Sequence, residues 1–188
     1  MGKLAKRPMT AERFLRRGYT QGFEFVDGRM QEKVMGMKSS WVQSELNFQF
    51  RLYCRQNPGW FVFDAEGIYQ CFPHKPEQVR KPDVSVLRSD RFPDGVPDGV
   101  SRLPPELVVE VVSPNEKVYE LEDKVDDFRR AGVPLIWVVS TKRRRVTVYQ
   151  DGKHAGELAD ADDLTGDPVL PGFRLKVADL FPPAPPAS

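Results

Sequence analysis

The sequence has no apolar run near the ~20 residues that a membrane-crossing helix needs, which argues against a spanning segment of that kind. Its N-terminus is basic but has no apolar stretch behind it, so it does not read as a secretory signal. Cysteine is scarce: Cys54 and Cys71 are the only two in 188 residues. They lack metal-ligand spacing and make no disulfide framework, so they read as reduced thiols of a cytoplasmic protein. The two histidines, His74 and His154, lie in loop-like surroundings with no partner spacing for a metal or a triad, and are expected at the surface. No glycine-rich phosphate loop occurs, so chemistry on nucleoside triphosphates is not indicated. Net charge is also nearly absent, at +1. The charges are nevertheless uneven. Residues 1–22 carry Lys3, Lys6, Arg7, Arg13, Arg16 and Arg17 against Glu12; Lys142–Arg145 is a second basic cluster; and 151–188 is acidic. That asymmetry fits a partly basic face for phosphates, and equally a scatter of solvated side chains.

What is present points to a folded α/β chain. The length suits one domain, here taken as 1–181, followed by a proline-rich tail at 182–188 with too few apolar groups to pack. Thr10 can cap a short helix closed by Gly18. Phe23–Val26 alternates as a strand, and Asp27-Gly28 is a two-residue hairpin turn into Arg29–Val34. Ser40-Trp41-Val42-Gln43 fits a capping box opening a long helix, with Val42, Leu46, Gln49 and Tyr53 on one stripe and Trp41, Phe48 and Leu52 beside it. Strands follow at Trp60–Asp64 and Pro82–Leu87, with a short one expected at Ile68–Phe72. Leu107–Val112 is apolar except for Glu110, the pattern of a strand buried on both faces. A helix from about Asn115 to Ala131 and a second apolar strand at Leu135–Val139 complete a crossover unit, so those two strands should be parallel. Arg145–Tyr149 adds a more amphipathic strand. The expectation is a mixed sheet flanked by helices.

Glu110 needs an explanation. A carboxylate inside Leu-Val-Val-Glu-Val-Val costs several kcal/mol to bury unless it is paired, protonated or bound to a metal. Asp83, opening another strand after Arg80-Lys81-Pro82, supplies a second acid. Two carboxylates meeting at adjacent strand ends cannot easily both ionise without a cation between them. A hard ion such as Mg²⁺ accepts two carboxylates, a carbonyl and waters. On the helix after Glu110, the apolar stripe is Val118, Leu121, Val125 and Phe128. Lys124 and Lys117 both lie at the edge of that stripe and are rival cations for the site. Pro93-Asp94 and Pro97-Asp98 are also Pro-Asp pairs, but a glycine follows each and they read as turns.

Pro82-Asp83 followed by Val109-Glu110-Val111-Val112-Ser113-Pro114 resembles the PD-(D/E)XK nuclease superfamily. More closely, the chain resembles the bacterial Uma family of restriction-type endonucleases. The likeness runs through Met9–Leu15, Phe23–Gly28, the Glu120-x-x-x-Lys124-x-x-x-Phe128-x-x-Ala131-Gly132-Val133 helix, Ile136–Val139 and Val169–Phe173. The resemblance implies a restriction-endonuclease-like core with an added N-terminal hairpin and a Mg²⁺- or Mn²⁺-dependent phosphodiesterase acting on DNA. Asp83 and Glu110 would be its metal ligands, with the Val111 carbonyl as a third. It selects Lys124 over Lys117 as catalytic cation, and offers Glu24 and Glu45 as auxiliary acids. A homodimer is compatible with it. The chain departs from the family pattern at Ser39-Ser40-Trp41, where a histidine is usual, at Ser140, where an acid is usual, and at Phe128, where tyrosine is common. Those departures keep two other readings open: a nuclease-fold module for binding DNA or protein with little or no cleavage, and a subunit that cleaves only within a complex.

Overall fold

The computed structural model describes residues 9–16, 20–112 and 118–183. The central element is a six-stranded sheet in the order β3-β4-β5-β6-β7-β8, formed by Trp60–Phe63, Val84–Arg88, Leu107–Val112, Leu135–Ser140, Arg145–Gln150 and Lys153–Ala159. Only β5 and β6 run parallel, as the crossover pattern requires; the other neighbours are antiparallel. A separate hairpin, β1 (Phe23–Val26) with β2 (Arg29–Glu32), turns through Asp27 and Gly28, both at positive φ. A small ribbon of β9 (Asp163–Thr165) and β10 (Arg174–Lys176), not foreseen from the pattern, closes the C-terminal part. Ile68–Phe72 forms no strand; Tyr69 alone bridges to Arg80 and Ser101.

Helix α1 (Ala11–Arg16) is capped by Thr10, whose Oγ1 accepts from the Arg13 amide at 3.3 Å. Gly18, its expected stop, lies outside the described residues. Helix α2 (Met37–Gln56) starts three residues before the expected capping box, at a Gly36 cap with no side-chain hydrogen bond. Its buried stripe is Ser39, Val42, Leu46 and Phe50. Trp41, Phe48 and Leu52 are exposed instead, because a 3.6-residue period centred on Val42 and Leu46 turns them outward. The buried stripe packs on β4–β6, where Phe50, Trp137 and Phe173 stack with centroids 5.0–6.0 Å apart. Helix α3 (Val118–Arg130) covers the other face, Phe128 meeting Val108, Ile136 and Phe72. Val118 is exposed rather than part of its stripe, whereas Asp127 is buried. The Asn115 helix start and the rival Lys117 lie outside the described residues, as do residues 184–188 of the proline-rich tail; Phe181, just before that tail, is buried.

Candidate active site

The antiparallel register of β4 and β5 sets Val84 opposite Val109. One step further along, Asp83 faces Glu110, so the two acids meet where the strands adjoin. Both are buried. They line an open cavity of about 470 Å³ that also takes in Glu24, Lys33, Ser39, Gln43, Glu66, Lys81, Val111, Glu120 and Lys124. Four elements therefore converge on it: the hairpin, α2, the β4–β5 pair and α3.

Asp83 is fixed on three sides. Its Oδ2 accepts from the Val111 amide at 2.7 Å, its Oδ1 lies 2.9 Å from the Lys33 ammonium, and its own carbonyl accepts from the Gln43 amide group at 2.9 Å. Lys33 also donates to the Lys81 carbonyl. Glu110 Oε2 accepts from Lys124 Nζ at 3.1 Å, as the helical phase of α3 predicts for Lys124. Glu110 Oε1 is buried with no hydrogen-bond partner among the described residues. Burial is the largest influence on this carboxyl and pushes its pKa up to about 7, against the opposing pull of Lys124 and Lys33.

Glu24 lies at the same cavity in a different electrostatic setting. Burial would raise its pKa, but Lys124, Lys33, Arg80 and the Lys81 amide outweigh that and hold it at about 2. Its Oε1 accepts from the Lys81 amide at 2.8 Å and its Oε2 from Arg80 Nη1 at 3.1 Å. Arg80 turns its other face to Asp127, with Nε at 3.0 Å and Nη2 at 2.6 Å from Oδ2. His74 and Lys75 each approach Asp127 Oδ1 at 3.2 Å, and Gln78 donates to Oδ2. His74 is accordingly packed against Asp127 and Phe72, not a surface residue as its loop setting suggested. His154 is exposed.

Of the acids singled out in the sequence, Asp83, Glu110 and Glu24 share the cavity, with Lys124. Glu45 does not line it: it accepts from Gln49 within α2 at 2.7 Å, and the α2 side chains that reach the cavity are Ser39 and Gln43. Asp94 and Asp98 lie in exposed turns away from it. Lys33, Gln43, Arg80 and Asp127 were not foreseen as site or supporting residues. A charge count could have pointed to Lys33 and Arg80, since buried acids need buried cations. Among the described residues, no three His, Cys, Asp or Glu side chains gather where they could together hold a metal ion. Among the cavity's oxygen donors, Asp83 and Glu110 are the pair at the strand ends, backed by the strand at Val111, whereas Glu24 is engaged by Arg80 and the Lys81 amide and Glu66 by Lys81. Nor, among the described residues, is any helix long and apolar enough to cross a membrane.

A family model described as "Uma2: Putative restriction endonuclease" matches residues 11–178. Among curated proteins nothing matches. Among solved structures, a crystal structure titled as a putative nuclease belonging to DUF820, from Anabaena variabilis, superposes with a TM-score of 0.80. It is 19% identical, over 93% of this chain and 98% of that one, which establishes a shared fold.

Proposed function

The chain belongs to the Uma2 family, and on that premise we propose that it is a metal-dependent endonuclease that hydrolyses phosphodiester bonds of DNA. The observation that carries this reading is the buried, unpartnered Oε1 of Glu110, facing Asp83 in an open cavity with the Lys124 ammonium at its other oxygen. A buried carboxylate oxygen left without a donor is costly in a finished structural ion pair and useful in a ligand. The donor set suits a hard divalent ion such as Mg²⁺ or Mn²⁺, which takes oxygen ligands and keeps several waters. Asp83 and Glu110 would hold it, with the Val111 carbonyl as a third protein ligand. When bound, such an ion polarises a phosphoryl oxygen and lowers the pKa of a coordinated water.

The chain's own groups then divide the remaining work. The Val111 amide and Gln43 fix the orientation of Asp83. Lys124, set against Glu110, orients the nucleophilic water and offsets charge developing on the phosphate. Glu24 stays ionised and holds Arg80 and the Lys81 backbone in place beside the cavity. Lys142 and Arg143, exposed in the turn after β6, lie at the end of the sheet where Ser140 pairs with Val112, and can meet the DNA backbone. Arg144 and Arg145 are partly neutralised by Asp160 and Glu157.

One observation favours the alternative of a nuclease-fold binding module with little or no cleavage: Asp83 and Glu110 each already have an ammonium partner. Mn²⁺ calorimetry and plasmid cleavage separate the two. The nuclease reading expects binding in the wild type and in Asp94→Ala, its loss in Asp83→Ala and Glu110→Ala, and nicking that follows the same pattern. Equal Mn²⁺ binding in all four proteins defeats it.

A further inference from the structure

Lys33 is one of the cations already inside the cavity, and its position is informative. It follows β2, and its amide donates to the Gly22 carbonyl at 2.8 Å, which ties its backbone to the base of the hairpin. From there the side chain, only 16% exposed, reaches inward: its ammonium lies 2.9 Å from Asp83 Oδ1 and donates to the Lys81 carbonyl. Both oxygens of Asp83 are thus occupied, Oδ2 by the Val111 amide and Oδ1 by Lys33. The Val111 amide is part of β5 and cannot withdraw. The lysine is a flexible four-carbon stem and can.

We propose that Lys33 is the counter-ion of the metal-free site, neutralising Asp83 until a divalent cation takes Oδ1 and drives the ammonium off. This rests on the metal-dependent reading above and adds a residue with a defined role to it. Of the acids lining the cavity, Glu24, Asp83 and Glu110 are the buried ones; Lys33, Lys81 and Lys124 are its lysines, with Arg80 engaged behind Glu24. Placing a doubly charged ion against Asp83 with Lys33 still at Oδ1 sets like charges side by side in a partly dry cavity, where their repulsion is weakly screened. The ion and the ammonium therefore exclude one another at one oxygen. Lys33 lowers metal affinity, and in exchange the empty site is not left as a cluster of uncompensated buried carboxylates. Glu32 lines the same cavity and offers the displaced ammonium another carboxylate, whereas Glu66 is already held by Lys81.

The test is Mn²⁺ binding by the full chain, read from the electron paramagnetic resonance of free Mn²⁺, with thermal unfolding in EDTA as a second measurement. Lys33→Met should bind Mn²⁺ roughly tenfold or more tightly than wild type. In EDTA it should unfold at a lower temperature, and Mn²⁺ should raise that temperature more than it does for wild type. Lys33→Gln, which keeps a donor for the Lys81 carbonyl without the charge, should behave alike and serves if the methionine variant does not fold. Asp83→Asn should lose the binding. Wild type that binds Mn²⁺ while both Lys33 variants bind it equally or more weakly overturns the displacement and leaves the metal reading standing. If neither wild type nor either Lys33 variant binds Mn²⁺, both fall together.

Discussion

Around Asp127 both carboxylate oxygens are engaged, by Arg80, Gln78, His74 and Lys75. Around Glu110 one oxygen meets Lys124 and the other has no hydrogen-bond partner among the described residues. The two clusters share α3, with Lys124 and Asp127 one turn apart, and they share Glu24, which lines the cavity yet answers to Arg80. Their pKa shifts run in opposite directions. Burial opposes ionisation of Asp127, but Arg80 and its other donors hold that carboxyl below its usual range, while burial leaves Glu110 at about 7. A buried charge with a full set of donors is part of the scaffold. One with a donor missing, in an open cavity, is a candidate ligand for a bound group.

The largest effect expected from breaking this contrast is on the complete cluster. Asp127→Ala would strand the buried Arg80 guanidinium with only Glu24, and losing one partner of a buried pair costs about 3–5 kcal/mol. Denaturant unfolding should show that loss, with Arg80→Ala comparable. A change under 1 kcal/mol in both would mean that water or relaxation replaces the bond, and that the completeness of the cluster is not what stabilises it.

Next in size is the effect on chemistry at the incomplete cluster. On the proposed nuclease reading, Lys124→Ala should lower the turnover of plasmid cleavage by on the order of 10²-fold or more, since its interaction would strengthen in the transition state, while Mn²⁺ affinity should not fall, because an ammonium is not a ligand. Lys117→Ala should stay within a few-fold of wild type. If Lys117→Ala is inactive and Lys124→Ala active, the lysine seen against Glu110 is a structural partner and the contrast between the clusters fails at its centre.

Much of this arrangement was legible in the chain, and the reasons differ by element. β5, β6 and the Asp27-Gly28 hairpin were readable because strand period and turn chemistry are local. Glu110 was readable because an acid in an apolar strand conflicts with simple burial, and Asp83 because it opens a second strand; Lys124, beside an apolar helical stripe, was separated from Lys117 only by the resemblance to the family. The start of α2 was misplaced because Ser40 looks like a cap, although the helix begins at Met37 without a side-chain cap. Val42 and Leu46 of the expected α2 stripe are buried, but Trp41, Phe48 and Leu52, expected beside it, are large and apolar yet exposed. Lys33, His74 and Asp127 were not recoverable locally. Asp127 looks like one more acid on a charged helix, and only the long-range approach of Arg80, 47 residues away, turns it inward.

The smallest expected effect is also the one that most directly compares the two clusters, because it asks each for the sign of its pH dependence. Glu110 has a folded pKa raised to about 7 from its ordinary value of 4.5. Between those values the folded protein holds a proton that the unfolded chain has lost, so stability falls as pH rises through that window. Asp127, lowered, and Glu24, lowered to about 2, act the other way: their contribution is present above the unfolded carboxylate range and is lost as pH falls below it. In EDTA, the wild type should therefore be most stable near the lower edge of the Glu110 window and lose on the order of 1–2 kcal/mol toward pH 8, a modest amount because the cavity admits water. Glu110→Gln, which cannot ionise, should remove that decline and leave the acid limb in place. Asp127→Asn should weaken the acid limb and leave the decline. Chemical unfolding of the three proteins at pH 4, 5, 6, 7 and 8 decides it. A Glu110→Gln profile that still declines above pH 5 would place the responsible proton elsewhere, and Glu110 would then be as fully compensated in solution as Asp127.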